Sequence, residues 1–430
     1  MKKLILIIAT LVSLTGCSPE NLENRENQSI SDNTINSVIS SSYDVSYDPS
    51  SSDISGSSQY NEPDTETNDP DNFKELSAEE ITAAMGLGWN LGNQFEASIG
   101  GVPSETAWGN PPVREELFKV VKQAGFSTVR IPVSYLSMIG ADNTIDAKWL
   151  ERVREAVDLA LGQGLFVIIN IHGDGYYTVD GAWLKCAEND TAQNEITEKF
   201  GVVWKQIAER FKDYDEHLIF ESMNEIFDGT YGEPDPHYYR NLNEYNRVFV
   251  DTVRKTGSNN TQRWLLIPGW NTNIEYTAGD HGFVIPDDNT NGRLMISVHY
   301  YDPYNFTLNE DPYTATTQWG KNASKSFDSW GQEDYAEEMF AKLYEAFVIR
   351  GYPVIIGEFG ASDKSRLDSR SDEFRSYWAA YIVSAAKRSG CVPIYWDNGW
   401  NGEFGLAVID RSSLTVTQPG LIGAMINAMN

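Results

Sequence analysis

Short apolar runs alternate with longer amphipathic stretches about eight times between Phe73 and the C-terminus. The apolar runs are nearly continuous, which is typical of strands that are buried on both faces of a parallel sheet. The stretches between them have the spacing of helices that cover such a sheet. Eight strand–helix units in about 350 residues predict an α/β fold, the (β/α)8 TIM barrel. An open doubly wound sheet is the alternative, but no GxGxxG or P-loop motif follows any of the runs.

The apolar runs and the helical stretches set approximate bounds for the elements. The runs that contain the eight predicted strands, some with part of a flanking loop, are Met85–Phe95, Ser127–Tyr135, Leu165–His172, Leu218–Glu225, Arg263–Trp270, Arg293–Asp302, Pro353–Gly360 and Val392–Gly399. Ser77 and Glu80 form a capping-box pattern, so a helix is predicted to begin at Ser77. Further predicted helices are Arg114–Gln123, Ala147–Leu161, Asp334–Arg350 and Gly420–Met429.

The first 17 residues have a different pattern. Met1–Cys17 begins with a pair of lysines and continues as an apolar run of about a dozen residues, which is the layout of a secretory signal peptide. The run is too short for a stable membrane span. Its end, Leu14-Thr15-Gly16-Cys17, resembles the bacterial lipobox, and this resemblance implies cleavage before Cys17 and lipidation of its sulfur. We therefore expect an extracellular protein on the cell surface, lipid-anchored to a bacterial membrane. An ordinary signal peptide with a chance cysteine is the alternative.

Residues 18–72 are rich in Ser, Asn, Asp, Glu and Pro, and they carry twelve acidic residues against the single Arg25. Such a segment cannot bury enough apolar surface to offset the entropy cost of ordering it. We expect a disordered tether that separates the membrane from one catalytic domain over residues 73–430.

Charge and cysteine content narrow the functional classes. A net charge of −29 argues against nucleic acid or any polyanionic partner. An acidic surface with 12% aromatic residues suits a neutral ligand such as a sugar, although solubility alone also explains the charge. The three cysteines have no metal-type spacing, and whether Cys186 and Cys391 pair stays open. We expect no metal and no cofactor, and a monomer.

Polar or aromatic residues end nearly every predicted strand. Because the C-terminal ends of barrel strands build the active site, these side chains are expected to meet at one mouth. Two of them are glutamates, Glu225 after the fourth strand and Glu358 in the seventh. Two carboxylates that flank one bond are the machinery of glycoside hydrolysis. A non-catalytic glycan-binding lipoprotein on the same barrel is one rival, but it has no need for both carboxylates. A barrel lyase or aldolase is another, but it requires a strand-end lysine or a metal cluster.

Taken together, the residues at the strand ends resemble glycoside hydrolase family 5, the cellulase and endoglucanase family. The resemblance covers roughly residue 73 to the C-terminus, including the segment GWNLGN at Gly88–Asn93. The matching positions are Arg130, His172, Asn224, Glu225, His299, Tyr301, Glu358 and Trp396. The family implies a retaining endo-β-1,4-glucanase that cleaves cellulose-type or mixed-linkage β-glucans by double displacement. A xyloglucanase or mannanase of the same family is the alternative.

The resemblance also implies a role for each residue. Glu225 would be the general acid/base and Glu358 the nucleophile, whose pKa Arg130 and Tyr301 would keep low. The remaining predicted substrate-binding residues would hold or stack on the sugar; they are Asn93, His172, Asn224, His299 and Trp396. For Arg130 a barrel-bottom ion pair, and for Trp396 plain core packing, are the structural alternatives. One departure stands out, because the family often has a second histidine directly after His172, and this chain has Gly173. That contact is either missing or supplied by another group.

Overall fold

The structure is a computed structural model that describes residues 73–186, 189–227, 229 and 232–430. The predicted signal peptide with Cys17 and the predicted tether over residues 18–72 lie outside the described residues. Among the residues described, no helix combines the length and the apolarity that crossing a membrane requires.

Eight parallel strands close into a barrel in which each strand pairs with its neighbour in the chain and the last pairs with the first. In chain order, β1 to β8 are Gly88–Leu91, Thr128–Ile131, Phe166–Ile169, Leu218–Glu221, Leu265–Pro268, Leu294–Tyr300, Val354–Phe359 and Cys391–Asp397. The TIM-barrel prediction is confirmed. The observed strands are shorter than the predicted runs, because residues at the ends of the runs lie outside the sheet, although His299 and Glu358 stay within β6 and β7.

In the part of the chain that the structure describes, ten α-helices precede, connect or follow the barrel strands. They are α1 Ala78–Met85, α2 Glu115–Gln123, α3 Ala147–Leu161, α4 Asp190–Arg210, α5 Pro236–Lys255, α6 Ile274–Ala278, α7 Tyr304–Thr307, α8 Glu333–Ala346, α9 Ser371–Arg388 and α10 Pro419–Met429. The capping box predicted at Ser77 is present, with both of its hydrogen bonds to Glu80. The prediction for Met85 was wrong, since this residue ends α1 instead of opening the first strand.

The lower half of the barrel interior is apolar. Inward-facing side chains from several strands form one buried cluster, which includes Ile168, Ile219 and Ile355. Ile81 and Met85 of α1 belong to the same cluster, so this helix closes the N-terminal end of the barrel. A second, larger cluster lies between the strands and the outer helices. The barrel interior is therefore a packed core at its N-terminal end.

A polar layer lies directly above the apolar cluster. Side chains alternate between the two faces of a strand, so the inward-facing residues lie two positions apart. Two residues beyond Ile168 and Ile219 lie Asn170 and Glu221, and both are buried. The other buried polar members of this layer are Asn90, Arg130 and Ser297. Their hydrogen bonds to one another form the floor of the site described below.

Cys391 is a buried free thiol at the start of β8. It therefore does not pair with Cys186, and this answers the question that the cysteine spacing left open.

Candidate active site

Arg130 is the centre of the site. Its side chain is fully buried, and its Nε donates to Glu221 at 2.7 Å. One terminal nitrogen donates to Glu358 at 2.8 Å and to Asn90 at 3.1 Å, and the other donates to Asn224 at 2.8 Å. The barrel-bottom alternative for Arg130 is excluded, since it lies in the polar layer and contacts two predicted site residues. A planar guanidinium with several fixed donors suits this task, because it orients several acceptors at once.

The two predicted catalytic glutamates converge. One oxygen of Glu225, one oxygen of Glu358 and a ring nitrogen of His299 all lie within 4.8 Å of one another. Nδ1 of His299 lies 2.7 Å from Glu225 and 3.7 Å from Glu358. Glycosidases that retain the anomeric configuration place their carboxyl groups about 5–5.5 Å apart, whereas inverting enzymes leave about 6.5–9.5 Å for a water molecule. The spacing observed here fits the retaining class.

Glu358 accepts hydrogen bonds from two neighbours. Besides the bond from Arg130, the Tyr301 hydroxyl donates to it at 3.0 Å. Burial raises the pKa of the Glu358 carboxyl above the ordinary value, and the nearby charges of His299 and Arg130 oppose that rise. The prediction of a low pKa for Glu358 was wrong, because the effect of burial outweighs the lowering by its neighbours. The same burial, together with the carboxylates of Glu358 and Glu225, raises the pKa of Tyr301 well above its usual range. Its phenol therefore stays a donor.

Asn224 has a fixed amide orientation. Its Oδ1 accepts from Arg130, which can only donate, so Nδ2 must point the other way. Nδ2 donates to the Tyr176 hydroxyl at 2.6 Å. An amide nitrogen carries two hydrogens, which leaves the second available to a sugar hydroxyl.

His172 is neutral, and its tautomer follows from its neighbours. Burial, with the charges of Arg130 and His299, lowers its pKa well below the usual value. The Oδ1 of Asn170 accepts from a backbone N–H, so its Nδ2 is the atom that faces His172 Nδ1 at 3.3 Å. Nδ1 is therefore an acceptor, and the proton sits on Nε2, which lies 3.5 Å from the Tyr176 hydroxyl. The ring stacks on Trp396, with centroids 6.0 Å apart and planes inclined by 8°.

Tyr176 was not among the predicted site residues, although it lies four positions after His172. It contacts both His172 and Asn224, so it supplies a polar side chain next to His172, which Gly173 cannot do. Burial and the charges of Glu225 and Glu358 raise its pKa well above the usual value, so its hydroxyl keeps a hydrogen. Asp174 is not that group, because its buried carboxylate accepts from two backbone N–H groups and from Trp183 at 2.6 Å. Asp174 shapes the loop instead.

The structure places the two remaining predicted residues at the edge of the site. Trp396 is 5% exposed and lies in β8, stacked on the ring of His172, and its role as a stacking floor for the sugar stays a prediction. Asn93 has a backbone φ of 57°, which makes it the turn residue after β1. Its N–H donates to the buried carboxylate of Glu96, and its carbonyl accepts from Asn110 at 2.8 Å. A substrate contact by the Asn93 side chain stays a prediction.

Besides Tyr176, the sequence reasoning missed the polar layer. The signal was present, because a strand in which Ile219 points inward also points Glu221 inward. Attention to strand ends alone overlooked it. Within the described ranges, two groups of side chains have the spacing of metal ligands: the cluster of Glu225, His299 and Glu358, and that of Asp215, Glu216 and His217 ahead of β4. In the first group a cation would compete with the charge of Arg130.

Comparison with known proteins agrees with this geometry. The family model of the cellulases, glycosyl hydrolase family 5, matches residues 92–402. The chain belongs to glycosyl hydrolase family 5. This family 5 enzyme is thus a glycoside hydrolase, as the two carboxylates predicted.

Three relatives of this family 5 enzyme cover most of its length. It is 51% identical over 369 residues to Endoglucanase A of Paenibacillus barcinonensis. The match covers 83% of this chain and 91% of the relative. It is 52% identical to the family 5 xyloglucanase of Paenibacillus pabuli, whose structure was solved with a ligand. The TM-score is 0.79, and the match covers 81% of this chain and 100% of the xyloglucanase. The Bacteroides ovatus xyloglucanase, solved with a XXXG heptasaccharide, is 34% identical, with a TM-score of 0.78. This match covers 85% of this chain and 79% of the xyloglucanase.

Proposed function

We propose that this family 5 enzyme is an endo-β-1,4-glucanase that works by double displacement, with Glu358 as nucleophile and Glu225 as general acid/base. The observation that carries the assignment is the convergence of both carboxylates within 4.8 Å, at the retaining spacing. The division of roles rests on their contacts. Arg130 and Tyr301 both donate to Glu358, which favours its ionised form, whereas Glu225 contacts His299 and is more exposed.

In the first step a Glu358 oxygen attacks the anomeric carbon while the bond to the leaving glycosyl oxygen breaks. Glu225 gives its proton to that oxygen, so the departing chain leaves neutral. The product is a covalent glycosyl ester of Glu358. The half-buried side chains of Tyr301 and Tyr176 border the reacting centre.

In the second step Glu225, now ionised, takes a proton from water as that water attacks the anomeric carbon. The ester bond to Glu358 breaks, and the carboxylate returns to Arg130. Asn224 faces the site with one amide hydrogen available, which suits the 2-hydroxyl of the sugar next to the scissile bond. That contact strengthens as the ring gains positive charge.

Xyloglucan is the first polymer to test. A linear or mixed-linkage β-glucan is the substrate class that the relative named Endoglucanase A supports. Two relatives of known structure are described as xyloglucanases, one of them at 52% identity. This similarity favours a glucan backbone with side chains over mannan.

The test is reducing-sugar release from carboxymethylcellulose, barley β-glucan, xyloglucan and mannan by residues 73–430. Glu225→Gln and Glu358→Gln are compared with Glu345→Gln, an exposed position on α8. We expect hydrolysis of at least one glucan, loss of about 10³-fold or more in both site variants, and wild-type activity in the control. NMR of the first product gives the stereochemistry, and an inverted anomer would refute the double displacement. Binding without hydrolysis would leave a glycan-binding protein.

We also propose that the protein is anchored at the cell surface through a lipid on Cys17. The lipobox-like sequence ahead of Cys17 and the acidic stretch after it support this location. Membrane fractionation of cells that produce the full chain or Cys17→Ala tests the proposal. We expect the wild type in the membrane fraction and the variant elsewhere, and an equal distribution of the two would refute lipid anchoring.

A further inference from the structure

Glu221 is a third carboxylate of the site, and it lies beneath the catalytic pair. Its side chain is fully buried. It accepts from Arg130 Nε at 2.7 Å, from Asn170 Nδ2 at 2.9 Å and from the Ser297 hydroxyl at 2.6 Å. Arg130 and Asn170 can only donate at these atoms, so an ionised carboxylate matches its surroundings.

The bond to Nε sets the orientation of Arg130. A guanidinium is planar and its donors have fixed directions, so one bond at Nε determines where the terminal nitrogens point. With Nε directed at Glu221, they meet Glu358 and Asn224, each at 2.8 Å. Glu221 thus aligns the group that holds both the nucleophile and the amide that faces the sugar.

Because of the same contact, Arg130 interacts with two carboxylates at once. One buried cation faces two carboxylates, Glu221 and Glu358, at 2.7 and 2.8 Å. A nearby cation stabilises an ionised carboxylate and a nearby anion destabilises it. The negative charge of Glu221 therefore offsets part of what Arg130 contributes to Glu358.

We propose that Glu221 is a positioning residue that orients Arg130 and limits how strongly Arg130 stabilises the ionised nucleophile. The inference rests on the proposed role of Glu358. Around that carboxylate the other charged or titratable groups among the described residues include Arg130, Tyr301, His299, Glu225 and Tyr176. Around Glu221 the bonded groups are Arg130, Asn170 and Ser297, of which only Arg130 is charged. A nucleophile needs a basicity matched to its task. The sharing of Arg130 between Glu221 and Glu358 sets the basicity of the Glu358 carboxylate.

The test is Glu221→Gln, which removes the charge and keeps the size. The new amide oxygen can accept from Arg130 and Asn170, and the new amide nitrogen can donate to the Ser297 hydroxyl, so folding is expected. The readout is the pH dependence of inactivation by 2-deoxy-2-fluoro-β-cellobiosyl fluoride. In this reaction a Glu358 oxygen bonds to the anomeric carbon and fluoride leaves. Fluoride needs no proton from Glu225, so the acidic limb of the profile reports the ionisation of Glu358.

We expect the acidic limb of Glu221→Gln to lie about 0.5–1 pH unit below that of the wild type, because Arg130 then acts on Glu358 alone. The plateau rate of inactivation should fall about tenfold, as a more strongly stabilised carboxylate attacks more slowly. A Glu221→Gln profile that coincides with that of the wild type would overturn the inference.

Two variants separate charge from fit. Glu221→Asp keeps the charge but shortens the side chain, and Ser297→Ala removes one hydrogen bond while Glu221 stays charged. Both should keep the acidic limb within about 0.2 pH unit of the wild type. If Glu221→Gln fails to fold, Glu221→Asp decides: a limb that falls by half a unit or more shows that geometry, not charge, is at work. Failure of the wild type to be labelled at Glu358 would instead refute the proposed function.

Discussion

Replacing Tyr176 by phenylalanine removes one oxygen that the structure places between two site residues. The Tyr176 hydroxyl accepts from Asn224 Nδ2 at 2.6 Å and lies 3.5 Å from His172 Nε2. Without it, a buried amide N–H of Asn224 loses its partner. The amide cannot turn over to compensate, since its Oδ1 is held by Arg130 at 2.8 Å. Tyr176→Phe therefore perturbs Asn224 without moving either catalytic carboxylate.

The size of the effect follows from that hydrogen bond. An unsatisfied buried donor costs about 1–3 kcal/mol. Each 1.36 kcal/mol of transition-state stabilisation is tenfold in rate, so kcat/KM should fall by about 5- to 150-fold. Because the contact of Asn224 with the 2-hydroxyl strengthens in the transition state, most of this loss should appear in kcat.

The assay compares kcat and KM of Tyr176→Phe and wild type on aryl β-cellobiosides with and without the 2-hydroxyl. Tyr344→Phe, an exposed position on α8, is the matched control and should behave as the wild type. If Tyr176 acts through Asn224, its loss should matter little once the 2-hydroxyl is absent. An equal loss on both substrates, or a change in KM alone, would refute the reasoning.

Three further predictions concern the surrounding groups. Tyr301→Phe removes a hydrogen bond to the ionised form of Glu358, so the pKa of Glu358 should rise by about 0.5–1 pH unit. The acidic limb of the pH profile of kcat/KM should rise by the same amount, and an unmoved limb would contradict this. Asp397→Asn should destabilise the fold by about 3–5 kcal/mol in urea unfolding, since the buried Asp397 carboxylate pairs with Arg411 at 3.1 Å and accepts from several backbone N–H groups. Overnight EDTA dialysis should leave kcat unchanged, because Arg130 supplies the positive charge next to Glu358, and activity restored only by added metal would speak against this.

The barrel was predictable because its signal is local. Eight apolar runs with helical stretches between them leave few architectures, and the polar residues that end the runs mark the mouth. Element bounds were less predictable. Asn224 and Glu225 follow β4 in the chain, yet the strand itself ends at Glu221, since the regular pairing with β5 ends at the Glu221–Leu266 pair.

The residues that perform the chemistry were largely predictable as well. Arg130, Glu225, His299 and Glu358 all reach one site, because strand ends of a closed barrel face the same opening. The contacts of Tyr176 with His172 and Asn224 were found only by geometry. Its place depends on the course of the loop after β3, which the buried contacts of Asp174 fix.

By itself the sequence determined the fold class, the mouth of the barrel and the two carboxylates, since each follows from patterns within one strand or one loop. Only the tertiary structure decided the protonation chemistry around them. The pKa of Glu358 depends on how far water is excluded and on charges that come from β2 and β6. The pairing of Glu221 with Arg130 joins residues 91 positions apart. Such contacts arise from closure of the barrel, and no local pattern encodes their distances.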